Sequence, residues 1–272
     1  MAILTRNAVK TAHWYTREGE PMHRIMKADG SGDRATTIKD ARRLGLLPSV
    51  TSIIGILAKP ALETWKMNQV ALATLRTPKA DSETAEYWCQ RVCDTAFEQV
   101  EDAADTGTKV HAALEAAVAG EPYDTAAWGV YVQPVLDLIA REGLAVTARE
   151  KRIVNTDHGF AGTTDLLFTH SGGQPGILDY KTKKTKPGEK VPAYDEHRLQ
   201  LAAYAATEYG DAYIGRVRAI NVFVSTTEPG RVEFVTHGDL TPDWAAFRLL
   251  ASLWRYVKGY DPREAGIVRG LG

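Results

Sequence analysis

Apolar and polar positions alternate differently in successive stretches of the chain. Residues 61–76 carry apolar side chains at helical spacing, with Pro60 where a first helical turn tolerates it. A longer helical pattern covers 81–119, with a break predicted at Asp105-Thr106-Gly107, and a third covers 126–142, where Pro134 predicts a kink. Beyond residue 143 the period shortens. Residues 144–154, 160–169 and 176–182 are β-like, and the turns 155–159 and 171–176 between them predict a three-stranded meander. A basic loop at 183–195, a helix at 196–209, strands at 214–224 and 231–236 and an amphipathic helix at 241–257 complete the pattern. In the first fifty residues, His13–Thr16 and His23–Met26 flank Glu18-Gly19-Glu20-Pro21 as a hairpin, and Asp29-Gly30-Ser31-Gly32-Asp33 is a turn.

This order predicts an α/β (α+β) fold: a mixed central sheet with flanking helices in 105–272, preceded by a hairpin and mostly helical region in 1–104. No repeat or low-complexity tract interrupts it.

Composition narrows the class. With 44% hydrophobic and 25% charged residues in 272, the chain reads as a soluble globular protein. Its formal net charge of −1 excludes a coat that holds phosphate by bulk charge, though not an enzyme with positive charge confined to one cleft. Cys89 and Cys93, four apart in a helical stretch, read as partly buried thiols of a reducing compartment. No apolar run is long enough to cross a bilayer, and residues 1–10 lack the apolar core of a secretory signal, so a cytoplasmic location is expected.

Candidate chemistry centres on Gly162-Thr163-Thr164-Asp165 and Ile177-Leu178-Asp179-Tyr180-Lys181-Thr182. Both acids lie in strand-like apolar runs, where a carboxylate is costly to bury unless something pairs with it. Converging on one divalent cation would offset that cost. Asp179 and Lys181 are two apart on a strand and share a face, so an acid and a base meet there. Oxygen donors of this kind suit Mg²⁺ or Mn²⁺. An isolated D-x-K triplet is also what an exposed edge pair looks like.

Four further features stand in order around it. His111 and Glu115 share a helix face at i, i+4 spacing. Glu150, in a strand just before the meander turn, either adds a ligand, hydrogen-bonds one, or is simply solvated. Gln200 and Tyr204 form another i, i+4 pair, suited to a phosphate or a splayed base or else part of an ordinary helix surface. Lys183, Lys184, Lys186 and Lys190 crowd the loop after Lys181, with His197 and Arg198 beyond; they hold an anionic strand or form a solvated loop.

Taken together, His111, Gly162-x-x-Asp165, Asp179-x-Lys181 and Gln200-x-x-x-Tyr204 resemble the ordered motifs of the RecB-like branch of PD-(D/E)XK nucleases, over about residues 105–210. Upstream, Leu47-Pro48-Ser49-Val50-Thr51 and 59–66 resemble a lead-in of phage-encoded exonucleases of that superfamily. The resemblance implies metal binding by His111, Asp165, Asp179 and the Tyr180 carbonyl, and a catalytic Lys181. It implies DNA contact by Gln200 and Tyr204; the residues themselves point to Lys183, Lys184, Lys186 and Arg198 as basic contacts, and to Glu115 and Glu150 as supports of the metal ligands. The cysteine quartet of iron–sulfur relatives is missing, so no iron–sulfur cluster is expected. There are no helicase motifs either, so any unwinding, single-strand-binding or recombination partner is separate. The expected activity is a metal-dependent DNA exonuclease of recombination, replication or repair. A structure- or site-specific endonuclease on the same core is the alternative, and a non-catalytic nucleic-acid-binding module is a further one.

Overall fold

A computed structural model describes residues 13–264; the signal-peptide expectation for residues 1–10 lies outside them. The chain divides into two compact units, one of residues 57–109 and one of 13–56 together with 110–264.

In chain order the first elements are β1 (Trp14–Tyr15), β2 (Arg24–Met26), β3 (Asp33–Ala35), α1 (Ile38–Leu44), β4 (Leu47–Pro48) and α2 (Val50–Ile54). The hairpin expected between 13–16 and 23–26 is not the principal pairing. β2 pairs with β3 across the Asp29 turn, while β1 pairs with β4 and turns back only as far as 20–22, where Thr16 N donates to Glu20 O at 2.8 Å and Met22 N to Trp14 O at 2.7 Å. The reason is local: Ser31 N donates to Asp29 Oδ1 at 2.9 Å and Lys27 N to Gly32 O at 2.9 Å, closing a turn that brings 33–35 back onto 24–26.

α3 (Pro60–Arg76) begins at Pro60 as expected. α4 (Ala85–Ala119) runs unbroken through the predicted break at 105–107. One interior glycine costs about 1 kcal/mol, and the Asp105–Lys109 ion pair at i, i+4 (2.6 Å) favours continuing the helix. In the smaller unit Ala73, Val92 and Ala96 form the core with Val70, Trp88 and Phe97. Both cysteines are exposed and free of any disulfide, contrary to the partial burial expected.

The larger unit continues with α5 (Thr125–Arg141), capped by Asp124 accepting from Ala127 N, with Pro134 held inside the helix. The meander follows as β5 (Ala145–Asn155), β6 (Phe160–His170) and β7 (Gln174–Lys183). Then come α6 (Asp195–Tyr209), β8 (Arg218–Ser225), β9 (Val232–His237) and α7 (Thr241–Lys258). Residues 214–216, expected in a strand, form a short 3-10 turn instead.

The five strands make one sheet in the order β5-β6-β7-β8-β9, antiparallel except for β7 and β8, which are parallel across the α6 crossover. Alternate side chains go to opposite faces. Leu167, Ile177 and Ala219 pack with α6 and with Trp244, Phe247 and Trp254 of α7. Leu166, Phe168, Leu178, Ile220 and Val222 pack with Val110 and Leu114 of α4 and Val132 and Val135 of α5. Among the described residues no helix is long and apolar enough to cross a membrane.

Candidate active site

β6 and β7 are paired from His170↔Gln174 to Leu166↔Leu178, and there the ladder between them ends. Asp165 and Asp179 are the first residues past that point. The strands fork, and β7 goes on paired with β8 alone. The Asp165 carboxylate fills the opening, accepting from Tyr180 N at 2.6 Å in place of a ladder carbonyl. Asp179, 3% exposed, meets Lys181 Nζ at 2.7 Å from Oδ1 and 2.6 Å from Oδ2. The structure therefore brings Asp165, Asp179, Tyr180 and Lys181 together at one place on the sheet.

His111 reaches the same place from α4, with Nδ1 3.9 Å from Asp165 Oδ2 and its ring edge-on to Tyr180. Burial lowers its pKa, opposed by the Asp179 charge, so a neutral imidazole with a free lone pair is favoured. Burial and then the neighbouring Asp179 charge raise the Asp165 pKa well above the carboxylate range, with Lys181 working against them. Lys181 keeps its charge: burial alone would lower its pKa, but Asp179 and Asp165 outweigh it and the net shift is upward.

Glu150 lies on β5 at φ +41°, a backbone conformation rare for a residue with a side chain. Its carboxyl keeps solvent access, yet burial and then the charges of Glu115 and Asp179 raise its pKa to about 7. Glu115 itself is exposed. Relative to Glu150→Gln, the metal-free protein should therefore lose stability as pH rises. The folded carboxyl holds its proton up to about 7 whereas the unfolded one releases it near 4.5, so the loss occurs across that window. Thermal melts of both proteins in EDTA from pH 4 to 8 measure this, and a pH-independent difference would remove the electrostatic coupling.

Carboxylate oxygens, a peptide carbonyl and a neutral imidazole form a donor set suited to a hard divalent cation. Burial is the main cause of the upward shifts of Asp165 and Glu150, and the charge of Asp179 adds to both, a repulsion that a cation here would relieve. Among the described residues, however, no three acidic, histidine or cysteine side chains already stand at metal-binding spacing. The Asp179 oxygens are drawn onto Lys181 instead.

The other expected residues are placed differently. Every residue of α6 from Leu199 to Ala206 is buried, so Gln200 (9% exposed) and Tyr204 (3%) are not surface groups. Tyr204 is hydrogen-bonded to Gln200 and lies under Gly162, where a Cβ would come 2.5 Å from its hydroxyl. Gly162→Ala should accordingly cost about 1–3 kcal/mol by overpacking, read as a lower urea midpoint at unchanged slope. Arg198 is engaged by Asp243 at 2.9 and 2.5 Å and by the Asp239 carbonyl. Lys183 Nζ sits 4.3 Å above the Tyr194 ring and contacts its hydroxyl. Lys184, Lys186 and Lys190 are exposed.

The loop bearing these lysines is anchored. Arg231 donates to the Lys186 carbonyl at 2.9 Å and to the Glu189 carbonyl, and pairs with Glu228 and Glu233. Thr185 and Thr227 exchange two hydrogen bonds, at 2.9 and 2.7 Å.

Three further residues neighbour the site: His197, expected among the basic groups, and Asn221 and His237, which no sequence motif marks. His197 on α6 stays neutral, its pKa lowered to about 4 by burial and then by Lys181. Asn221 on β8 donates to Asp179 Oδ2 at 2.9 Å, and His237 on β9 contacts Asn221 Oδ1 at 2.8 Å. A polar residue inside Ala219-Ile220-Asn221-Val222-Phe223 was the available signal for Asn221.

The family model of the PD-(D/E)XK nuclease superfamily matches residues 84–252, more than half of the chain. The chain belongs to that superfamily and is a nuclease, and its members generally use divalent metal ions. Among solved structures it is similar to an alkaline exonuclease from Laribacter hongkongensis, at 16% identity and a TM-score of 0.35, covering 80% of this chain and 94% of that one. It is also similar to the protein SSO0001, at 14% identity and a TM-score of 0.33, covering 75% of this chain and 89% of that one. No protein of curated function matches the chain in sequence.

Proposed function

We propose that this nuclease is a metal-dependent DNA exonuclease, with Mg²⁺ or Mn²⁺ held by Asp165, Asp179, the His111 imidazole and the Tyr180 carbonyl. The observation that carries the reading is the fork, where two acids from adjacent strands and Lys181 converge in a sheet core. When bound, the cation supplies Lewis acidity toward a phosphoryl oxygen and a bound water.

The protein's own groups do the rest. Asp165 and Asp179 fix the donor positions, because each is held by a neighbour: Tyr180 N for the first, Asn221 for the second. Lys181, charged and half-buried, releases Asp179 and turns to the phosphate, where it offsets charge developing in the transition state. Neutral His197 stands beside Lys181 without adding a competing charge.

DNA contact falls to the anchored loop. Lys183, Lys184 and Lys186 follow Lys181 directly and meet phosphates of any sequence, as an enzyme working inward from an end requires. Gln200, Tyr204 and Arg198, occupied within the fold, hold α6 behind the site. Neutralising Lys183, Lys184 and Lys186 together should weaken DNA binding and flatten its salt dependence, the slope falling by up to about 0.9 for each phosphate that is no longer neutralised. Mn²⁺ affinity should hardly change. Binding isotherms at several salt concentrations measure both, and an unchanged slope would take the loop out of the interface.

The resemblance of Leu47-Pro48-Ser49-Val50-Thr51 and 59–66 to phage exonucleases supports ends rather than interiors as the substrate. The test is digestion of end-labelled linear and covalently closed DNA, single- and double-stranded, with Mg²⁺, Mn²⁺ or EDTA. Linear DNA is expected to be degraded and closed circles spared. Equal cutting of both would make the enzyme an endonuclease.

A further inference from the structure

We propose that Asn221, itself oriented by His237, is a positioning residue that fixes the Asp179 carboxylate for a divalent cation. The inference rests on the reading of Asp179 as a metal ligand.

Asn221 is wholly buried on β8, directly across the parallel ladder from Asp179. Its side-chain nitrogen lies 2.9 Å from Asp179 Oδ2 and 3.4 Å from the Asp179 carbonyl. A carboxylate and a carbonyl only accept, so this end of the amide must be the NH₂. The amide oxygen therefore faces His237 Nε2, 2.8 Å away, and that nitrogen must carry a proton. His237, 8% exposed at the end of β9, thus settles which way the Asn221 amide points. A reversed amide would set its oxygen against the carboxylate and leave two acceptors facing each other in a dry interior, a costly arrangement.

This neutral clamp does something that Lys181 cannot. The ammonium touches both Asp179 oxygens on a flexible stem, and a carboxylate held by it alone would follow when the lysine moves. An arriving cation repels the ammonium but not the amide. Asn221 has no charge, cannot reach solvent and is bonded at both ends, so Asp179 stays in place while Lys181 leaves it. Hydrogen-bonding partners that orient metal ligands in this way typically govern affinity about 10- to 100-fold.

The experiment measures Mn²⁺ binding to the full chain without DNA, by electron paramagnetic resonance of free Mn²⁺, alongside melts in EDTA. Asn221→Leu removes the donor at similar volume, and its Mn²⁺ affinity is expected to fall about 10- to 100-fold in a protein that still melts cooperatively. His237→Leu should weaken binding in the same direction, and His237→Gln, whose amide can still donate to Asn221, should restore it. A folded Asn221→Leu that binds Mn²⁺ within about two-fold of the parent, well short of that range, overturns the proposal. If Asn221→Leu does not fold, the His237 pair decides, and equal affinities for His237→Leu and His237→Gln overturn it. Asp179→Ala separates the two levels. Loss of binding there but not in Asn221→Leu refutes the clamp alone, whereas retention in both refutes the assignment of Asp179 and the clamp with it.

Discussion

Asp179→Ala is expected to lower hydrolysis by about 10³-fold or more while leaving the protein folded. A cation at this site stabilises transition-state charge by several kcal/mol, and each 1.4 kcal/mol is roughly a factor of ten in rate. Stability responds to two opposing changes. The substitution leaves the Asn221 amide with only the Asp179 carbonyl, 3.4 Å away, as acceptor and the half-buried Lys181 without its nearest counter-charge, both unfavourable. It also removes a charge that pushes the Asp165 and Glu150 pKa values upward, so both carboxyls ionise more easily. The melt should therefore stay cooperative and close to the parent. Calorimetric titration with Mn²⁺ should show the loss of binding directly. Hydrolysis persisting in this variant, or in EDTA with the parent, would dismiss the site as drawn.

Lys181→Ala is expected to reduce kcat by about 10²- to 10³-fold, the cost of losing one stabiliser of developing negative charge. Its effect on metal binding should have the opposite sign to that of Asp179→Ala. The lysine occupies both Asp179 oxygens, so its removal frees the carboxylate and makes the pocket more negative, and Mn²⁺ should bind as tightly as before or more tightly. DNA affinity should change little, since the exposed lysines of the following loop remain. Single-turnover kinetics at saturating DNA and metal measure the chemical step. A variant with parental kcat and weakened DNA binding would reassign Lys181 to holding the substrate.

The parts of this protein that could be read from the sequence are those whose signal is local. The alternation in 144–182 located the meander to within a few residues, and the apolar runs around Asp165 and Asp179 marked both as anomalies. Pairing at long range was not legible: nothing in Trp14-Tyr15 says that Leu47-Pro48 will be its neighbour. The break predicted at Gly107 failed because one glycine is outweighed by the helix around it. Gln200 and Tyr204 were assigned to a surface from their i, i+4 spacing, yet the alanines between and after them announce a helix enclosed on all sides. Arg198 reads as free positive charge in the sequence because its partner, Asp243, lies 45 residues away along the chain. Arg231, whose guanidinium ties two loops together, carries no local mark at all.

The fork between β6 and β7 also makes a loop far from the chemistry into a ruler. Five paired positions, from Leu166↔Leu178 to His170↔Gln174, set how far each acid stands from the turn at Ser171–Gly173. One residue added to or removed from either arm would slide Asp165 past Asp179 by about 3.4 Å and send one of them to the opposite face of the sheet. The turn itself bears little strain, since Gly172 and Gly173 supply its positive φ angles of 76° and 80°. Other residues would be strained at those angles, so the two glycines are fixed as firmly as the length of the paired arms. Over evolutionary time both glycines should persist while insertions and deletions within the paired arms are eliminated, the reverse of the variability an exposed hairpin end normally shows.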